Sequence, residues 1–325
     1  MKLFLALLIP LLTINGFNLF AAPNANDTSY NFVIAKDGSG DFKTIQSAIM
    51  AIPDCRKATT RILIKSGVYK EKIVLPESKQ NVIFVGENET VTITYDDFAT
   101  KKNRFGEEIG TSGSAGFYIY GINIRFENIT FSNTAGPVGQ AVAVRVAGDK
   151  VQFVNCRFLG FQDTLYTYGM QSRQYYLHCY IEGTIDFIFG SSTAVFDSCA
   201  IYGKGNGFFT AASTLQNTEF GYVFRYCKLT GSAPAASFKL GRPWRPYAKT
   251  VFLQCNMDAI VDASGWDNWD NPENEKTTFY AEYKNTGAGS APGKRVHWAR
   301  QLSDEEASAY TLKHIFKDWD PAIFN

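Results

Sequence analysis

Two aspartates of this chain stand inside apolar runs where a carboxylate is unexpected. Asp163 lies in GFQDTLYTYG (160–169), and Asp186 lies in GTIDFIFG (183–190). Burying a carboxylate is costly, and the group usually becomes protonated or finds a partner. The two residues are 23 positions apart. That spacing becomes informative when the elements that must carry the two side chains are considered.

A repeat with similar spacing runs through the chain. Five cysteines occupy related hexapeptides, and isoleucine replaces cysteine in a sixth, in the order FENITF (126–131), FVNCRF (153–158), YLHCYI (176–181), FDSCAI (196–201), FRYCKL (224–229) and FLQCNM (252–257). Their starts are 20 to 28 residues apart, a period typical of solenoids. The units are β-rich, without helical periodicity between them. They predict an all-β fold, a right-handed parallel β-helix, in which each hexapeptide has an inward aromatic, a turn and an inward Cys or Ile.

Two short helices are predicted to shield this solenoid. In DFKTIQSAIMAI (41–52) apolar residues recur at helical spacing, and Asp41 is placed to cap the first turn. SDEEASAYTLKHIF (303–316) opens with a capping box from Ser303 to Glu306. We expect the first helix to cover the N-terminal end of the coils and the second to lie against the coils near the C-terminus.

The coils would stack the two aspartates. Residues one coil apart lie about 4.8 Å from each other, and Asp163 and Asp186 each follow a repeat cysteine by seven residues. Two carboxylates this close do not both ionise easily, so the pair can offer a proton donor beside an anion. Gln162 directly precedes Asp163, and Gln140 joins the column if the coil before it carries a four-residue insertion. Arg242 would reach Asp186 from about two coils away and could hold it bidentately.

Two other interpretations of these residues remain open from the spacing alone. Asp186 and Arg242 could form a structural ion pair on a β-helix face, and stacked carboxylates also suit Ca²⁺. Other chemistries lack their patterns, because the chain has no G-x-S-x-G, C-x-x-C or H-E-x-x-H motif.

Composition and the N-terminus indicate where the protein works. A net charge of +1 gives no strong basic field for nucleic acid. Lys2, a short apolar stretch and the small residues Ala21 and Ala22 predict a secretory signal peptide over residues 1–22, followed by a single β-helix domain over residues 23–325. We expect a monomer that is secreted or periplasmic, without stable membrane insertion.

The motifs together resemble those of the pectin methylesterases, or pectinesterases. The matching segments are GVYKE (67–71), QAVAVR (140–145), FQDTLY (161–166), GTIDFIFG (183–190) and LGRPW (240–244), with GW (265–266) and TFYAEYKNTGAGS (278–290) as further similarities. In this order they span nearly all of the chain after the leader. The resemblance implies a right-handed parallel β-helix that hydrolyses the methyl esters of galacturonate units in pectin (homogalacturonan).

The resemblance also implies a role for each polar residue of the column. Asp186 matches the family nucleophile, which attacks the ester carbonyl and forms an acyl-enzyme. Gln140 and Gln162 match donors to the tetrahedral oxyanion. Asp163 matches the general acid, which later becomes the base, and Arg242 matches the residue that orients Asp186. Gln140 and Arg242 would contact the substrate as well, and no metal or organic cofactor is required.

Aromatic residues at motif positions are expected to line the cleft, because flat rings suit the apolar faces of sugars. By motif position these are Tyr166, Phe189, Trp244 and Trp266. Thr111, in GTSGSAG, resembles a substrate-contact position of the family, and its alternative is an ordinary turn residue.

A disulfide between Cys179 and Cys199 would fit the resemblance. The two residues occupy the same place on consecutive coils, and export permits oxidation. The alternative is a ladder of buried thiols, because an inward cysteine packs well as a small hydrophobe.

Three rival functions share the expected fold or substrate. A Ca²⁺-dependent pectate lyase and a polygalacturonase also use acidic residues on a coil face, and a secreted pectin-binding protein would carry a dead site. Methanol release without chain cleavage, persisting in excess chelator, distinguishes the esterase from all three.

Overall fold

The structure is a computed structural model and describes residues 29–323. Within this range the chain forms short strands, in chain order β1 (Phe32–Ile34), β2 (Thr60–Ile64), β3 (Gly67–Lys70), β4 (Ile73–Leu75), β5 (Val82–Gly86), β6 (Val91–Tyr95), β7 (Phe117–Ile119), β8 (Ile124–Glu127), β9 (Thr130–Asn133), β10 (Val144–Val146), β11 (Val151–Val154), β12 (Arg157–Leu159), β13 (Leu165–Thr167), β14 (Arg173–Leu177), β15 (Tyr180–Gly183), β16 (Ile188–Gly190), β17 (Thr193–Asp197), β18 (Ala200–Gly203), β19 (Gly207–Ala212), β20 (Tyr222–Arg225), β21 (Lys228–Gly231), β22 (Phe238–Pro243), β23 (Lys249–Leu253), β24 (Asn256–Met257), β25 (Phe279–Tyr283) and β26 (Arg300–Gln301). The α-helices are α1 (Ile45–Ala51), α2 (Gly110–Gly113), α3 (Glu273–Thr277), α4 (Asp304–Ser308) and α5 (Leu312–Phe316), and Pro292–Lys294 is a 3₁₀ turn.

Successive coils place these strands in three parallel sheets. The eleven-stranded sheet has the order β1-β2-β5-β8-β11-β14-β17-β20-β23-β25-β26, and the eight-stranded sheet has the order β24-β21-β18-β15-β12-β9-β6-β3. A seven-stranded sheet, called here the cleft sheet, has the order β22-β19-β16-β13-β10-β7-β4. Through most of the chain, each third strand returns to the same sheet. The repeat thus correctly predicted a parallel β-helix.

The first aromatic of each hexapeptide forms a continuous stack inside the helix. The rings of Phe126, Phe153, Tyr176 and Phe196 follow one another with centroids 4.6–5.1 Å apart and planes within 12° of parallel. Their separation matches the strand spacing of about 4.8 Å. Each ring therefore stacks on the equivalent ring of the next coil, and this alignment fixes the register of the coils.

The residue before each repeat Cys or Ile makes the predicted turn. Asn128, Asn155, His178, Ser198, Tyr226 and Gln254 all have φ between 51° and 57°. This left-handed conformation is tolerated best by asparagine among non-glycine residues. It bends the chain from the eleven-stranded sheet into the eight-stranded sheet and turns the next side chain inward.

The disulfide expected between Cys179 and Cys199 is not formed. Both residues are free thiols and belong to a ladder of buried cysteines. A disulfide needs Cβ atoms about 3.5–4.5 Å apart and aimed at each other. Stacked residues of neighbouring coils point the same way, at the wider strand spacing. The Cys179 thiol instead donates to the carbonyls of Phe153 (3.4 Å) and Leu177 (3.5 Å). The thiol ladder was therefore the correct alternative.

The N-terminal helix covers the first coils as expected, but its cap differs. Helix α1 buries Ile45, Ala48 and Ile49, and its N-cap is Thr44, whose hydroxyl accepts from the Ser47 amide. Asp41 is not the cap. Its carboxylate accepts a hydrogen bond of 2.8 Å from the Val33 amide, which lies on β1.

The predicted C-terminal helix is two short helices, α4 and α5. The capping box from Ser303 to Glu306 is present in α4, and Thr311 caps α5 separately. Ile315 and Phe316 of α5 pack on the outer face of the eleven-stranded sheet.

No helix within residues 29–323 is long and apolar enough to cross a membrane. The predicted signal peptide, residues 1–22, lies outside the described range.

Candidate active site

A cleft of about 500 Å³ opens on the outer face of the cleft sheet. All five polar residues selected from the sequence lie in it, together with residues of α2 and of the loop after β22. The lining residues are Ile109, Gly110, Thr111, Ser112, Gln140, Gln162, Asp163, Tyr166, Asp186, Phe189, Ala211, Arg242, Trp244 and Trp269. The cleft is therefore the candidate active site.

The two aspartates lie on neighbouring coils at equivalent positions. Leu165 of β13 pairs with Ile188 of β16. Asp163 lies two residues before Leu165, and Asp186 lies two residues before Ile188. The Asp163 amide donates to the carbonyl of Ile185 at 3.2 Å, which continues the pairing up to the aspartates. Asp163 is 7% exposed and Asp186 is 5% exposed. The structure thus stacks the carboxylates as the 23-residue spacing predicts.

Both aspartates occupy turns that lead into the cleft sheet. Asp163 has φ 64° and Asp186 has φ 53°, a left-handed conformation that aspartate tolerates better than most residues. Gly183 permits the chain to pass closely before Asp186, because a Cβ there would lie 2.3 Å from the Phe187 Cβ and 2.5 Å from the Phe161 carbonyl. These turns fix the backbone from which each carboxylate projects.

Arg242 binds Asp186 with both arms of its guanidinium. Nε donates to Oδ1 at 2.9 Å, and Nη2 donates to Oδ2 at 2.7 Å. Arg242 pairs with Ala211 of β19, which pairs with Phe189 of β16. It therefore lies two coils from Asp186, as expected, but in the strand row of Phe189 rather than that of Asp186. Its long side chain crosses this offset to reach the carboxylate.

The surroundings of Asp163 and Asp186 affect the pKa values of their carboxyl groups differently. Burial, and secondly the negative charge of Asp186, raise the pKa of Asp163 well above its usual range, while Arg242 partly opposes this rise. Burial also raises the pKa of Asp186, but there the hydrogen bond and the positive charge of Arg242 oppose it directly. Asp163 therefore keeps its proton more readily than Asp186. The site combines a carboxyl group that favours its neutral form with a carboxylate whose ionised form is stabilised by a cation.

The two glutamines flank the carboxylates at the floor of the cleft. Their backbone carbonyls are fixed, since Gln140 accepts from the Ala99 amide (2.8 Å) and Gln162 accepts from the Ala141 amide (3.2 Å). Within residues 29–323 neither side-chain amide donates a hydrogen bond to another protein group. Both amides can therefore donate to a ligand beside Asp186.

Three of the four predicted aromatic residues form one wall of the cleft. Tyr166 and Phe189 stack with centroids 4.2 Å apart, and Trp244 meets them edge-on at 6.3 Å and 5.8 Å. Tyr166 and Phe189 are nearly buried, at 5% and 4% exposed, whereas Trp244 is half-buried. Trp244 therefore presents the larger surface for a sugar ring.

Trp266 was wrongly expected to line the cleft. It is fully buried in the core and packs 4.3 Å from Tyr280 and 5.8 Å from Phe252, between ring centroids. The lining tryptophan is Trp269, three residues later in GWDNW. A second aromatic in this short polar segment was the signal in the sequence, but nothing in the spacing showed which of the two rings faces outward.

Thr111 lies in the cleft, on the short helix α2. Its carbonyl accepts hydrogen bonds from the amide and the hydroxyl of Ser114. The Ser114 hydroxyl in turn accepts from the Val142 amide, next to the strand β10. This connection fixes α2 over the end of the cleft that carries Gln140.

Within the described residues no group of three or more His, Cys, Asp or Glu side chains is placed to hold a metal ion. The cation beside the two aspartates is the Arg242 guanidinium, which binds Asp186. The arrangement offers a carboxylate paired with a cation, a second carboxyl group next to it that can donate a proton, and two amide donors. These are the groups needed for acyl transfer through an oxyanion.

Comparisons with known proteins agree with this chemistry. The family model described as Pectinesterase matches residues 31–318. "Pectinesterase 31" of Arabidopsis thaliana is 40% identical over 292 residues, which is 88% of this chain and 91% of that protein. Several other Arabidopsis relatives are named for both pectinesterase and pectinesterase inhibitor, and the chain spans 60% or less of their length.

Solved structures share the fold. The pectin methylesterase from carrot is 35% identical, with a TM-score of 0.82, and the match covers 91% of this chain and 96% of that one. A pectin methylesterase mutant in complex with a hexasaccharide is 32% identical, with a TM-score of 0.81, and the match covers 91% of this chain and 99% of that one.

Proposed function

The chain belongs to the pectinesterase family and hydrolyses methyl esters of galacturonate units in pectin, and we propose that Asp186 is its nucleophile. The observation that carries this proposal is the stacked pair of carboxylates, of which only Asp186 is held by Arg242 at 2.9 Å and 2.7 Å. A bidentate guanidinium stabilises the ionised form of a buried carboxylate and fixes the orientation of the carboxylate plane.

In the first half of the reaction, an oxygen of Asp186 attacks the ester carbonyl carbon. The carbonyl electrons move to its oxygen, and Gln140 and Gln162 donate hydrogen bonds to the resulting oxyanion. The intermediate collapses with cleavage of the bond to the methoxy group. Asp163 gives its proton to this leaving oxygen, so methanol departs and an anhydride with Asp186 remains.

In the second half, Asp163 is ionised and acts as the base. It removes a proton from a water molecule, which attacks the carbonyl carbon of the anhydride. The second oxyanion uses the same two glutamines. Collapse releases the galacturonate carboxyl group and regenerates the Asp186 carboxylate beside Arg242, and Asp163 has recovered its proton.

The polymer is proposed to lie along the cleft against the aromatic wall. Trp244 offers a half-buried ring for the apolar face of a sugar, and Tyr166 and Phe189 support it from below. Thr111 and Gln140 are proposed to contact the sugar units on the opposite side of Asp186, and Trp269 forms the remaining wall.

The test is methanol release from highly esterified pectin, with the product chains sized and the assay repeated in excess chelator. We expect methanol at unchanged chain length, with and without chelator, and none from Asp186→Asn. Shortened chains would indicate a polygalacturonase or a lyase, chelator sensitivity would indicate a Ca²⁺ enzyme, and pectin retention without methanol would indicate a binding protein.

We also propose that the protein is exported by cleavage of residues 1–22 and acts as a monomer. Export is supported by the apolar leader with Lys2 before it and small residues after it. N-terminal sequencing of protein recovered from the medium or the periplasm tests cleavage near Ala21 or Ala22. Light scattering coupled to gel filtration tests the monomer against a mass of 36.2 kDa before cleavage.

A further inference from the structure

The guanidinium of Arg242 lies between two aromatic rings. Its central carbon is 4.0 Å from the ring centroid of Phe208 and 3.8 Å from that of Trp269. Two rings this close to one atom fit only on opposite faces of the guanidinium plane. The edge of that plane carries the nitrogens that donate to Asp186. The faces of the guanidinium therefore contact the two rings, and its edge binds the carboxylate of Asp186.

Neither ring belongs to the carboxylate column or to the wall of Tyr166, Phe189 and Trp244. Phe208 is the second residue of the strand β19, where it pairs with Lys239 of β22, on the same strand as Arg242. The coil between Asp186 and Arg242 thus supplies one of the two rings that lie against the guanidinium. Phe208 is half-buried.

Trp269 reaches Arg242 from a separate segment that is fixed at two points. Trp266 anchors the segment in the core, with 0% exposure. The Asp267 amide donates to the Gly241 carbonyl (3.1 Å), next to Arg242, and the Asp267 carboxylate accepts from the Trp269 amide (2.7 Å). Trp269 itself has φ 61°. This left-handed turn, held by Asp267, directs the indole back over the cleft.

A free arginine side chain has considerable rotational freedom, and it loses this freedom when it holds a fixed geometry. The Arg242 side chain is 21% exposed, so water has access to it from the cleft. Two rings on its faces exclude water there and leave rotation in the plane as the remaining freedom. Cation–π contacts of this kind are stronger where water is excluded.

We propose that Phe208 and Trp269 are positioning residues that act through Arg242, holding its guanidinium in the plane that keeps Asp186 ionised and aimed. This inference rests on the proposed roles of Asp186 and Arg242. It extends them by assigning to Trp269 a task other than contact with the sugar, and a task to Phe208, which is absent from the cleft lining.

The charged groups around the carboxylate define the expected pH effect. Asp186 faces Arg242 on one side and Asp163 on the neighbouring coil, and Asp267, which pairs with Lys239 (3.2 Å), adds a further negative charge that acts on Asp186. Loosening Arg242 weakens its hydrogen bonds to Asp186, which no other cation among residues 29–323 contacts in this way, while the nearby carboxylates remain. The pKa of Asp186 then rises, and the acidic limb of the pH–rate profile moves to higher pH.

The experiment measures methanol release against pH for Phe208→Leu, Trp269→Leu and Trp269→Phe. We expect each leucine variant to lose about 10- to 30-fold in kcat, the loss equivalent to a desolvated cation–π contact, and its acidic limb to move up. Trp269→Phe should recover most of both effects. Tyr180→Leu is the matched control, because it removes an Arg157–Tyr180 contact of 4.4 Å on the eight-stranded sheet.

A double-mutant cycle with Arg242→Ala separates positioning from direct substrate contact. If the rings act through Arg242, Phe208→Leu and Trp269→Leu should change kcat little in the Arg242→Ala background. A rise in KM alone, equal in both backgrounds and with an unmoved acidic limb, would overturn the proposal and make Trp269 a sugar contact. Should Trp269→Leu fail to fold by circular dichroism, Phe208→Leu and Trp269→Phe decide the question. Wild-type protein without methanol release would instead refute the proposed function.

Discussion

Replacing Arg242 by lysine separates the charge of this residue from its forked geometry. Arginine holds both oxygens of Asp186, at 2.9 Å and 2.7 Å, whereas lysine offers one compact charge. Asp186 is only 5% exposed, so water cannot readily replace the lost donor. One charge-assisted hydrogen bond contributes about 1.5–3 kcal/mol. If that energy orients the nucleophile, kcat should fall by about 10- to 150-fold.

Arg242→Ala should be worse, because it leaves a buried carboxylate without its cation. Removing one partner of a buried ion pair costs about 3–5 kcal/mol, which corresponds to about 150- to 5,000-fold in rate. Asp186 must be ionised to attack, and Arg242 opposes the rise in its pKa that burial causes. The variants should therefore lose most activity at low pH, with the acidic limb displaced upward in the order wild type, Lys, Ala.

The assay is kcat/KM for methanol release from esterified pectin between about pH 4 and about pH 9, a range that spans both limbs of an acid–base profile. Arg157→Lys, on the eight-stranded sheet away from the cleft, is the control for a conservative change of charge geometry. Profiles that differ only in height, with an unmoved acidic limb, would refute charge tuning. Arg242 would then have a positioning or substrate-binding role alone.

The remaining predictions concern the other aspartate chemistry and the core. Asp186→Asn should abolish turnover with an unchanged circular dichroism spectrum, and Asp163→Asn should lose about 10²–10⁴-fold in kcat; activity within several-fold of wild type would remove either residue from its role. Alkylation of protein unfolded without reductant should label all six cysteines, and an unlabelled Cys179–Cys199 peptide pair would contradict the thiol ladder. Arg295 and Glu282 are each 2% exposed in their side chains, so Arg295→Met should lower the free energy of unfolding in urea by about 3–5 kcal/mol; a change near zero would show that Glu282 is compensated by other groups.

Local patterns were sufficient for the overall architecture. The hexapeptide repeat states the length of each coil, the inward aromatic and the turn before each Cys or Ile, and all of these appear in the structure. The reason is that a β-helix contacts itself mainly between neighbouring coils. Equivalent positions can thus be found by counting along the chain, and Asp163 and Asp186 stack as counting predicted.

Counting was less reliable where a coil carries extra residues or a side chain spans several coils. Arg242 lies two coils from Asp186 as counting predicted, but it stands in the row of Phe189, and its side chain reaches back to the carboxylate. The C-terminal pattern predicted one helix, whereas the chain forms two, α4 and α5, each with its own cap. Such details depend on the distance that the chain must cover over the sheet.

The sequence alone determined the parallel β-helix and the carboxylate pair, because both follow from a period that can be read residue by residue. Only the tertiary structure decided which tryptophan of GWDNW enters the core. Trp266 is buried there, and Trp269 lines the cleft. It also decided that Cys179 and Cys199 remain thiols. The orientation of a side chain in a loop, and the direction in which two Cβ atoms point, depend on contacts with segments far away in the chain. No local pattern encodes those contacts.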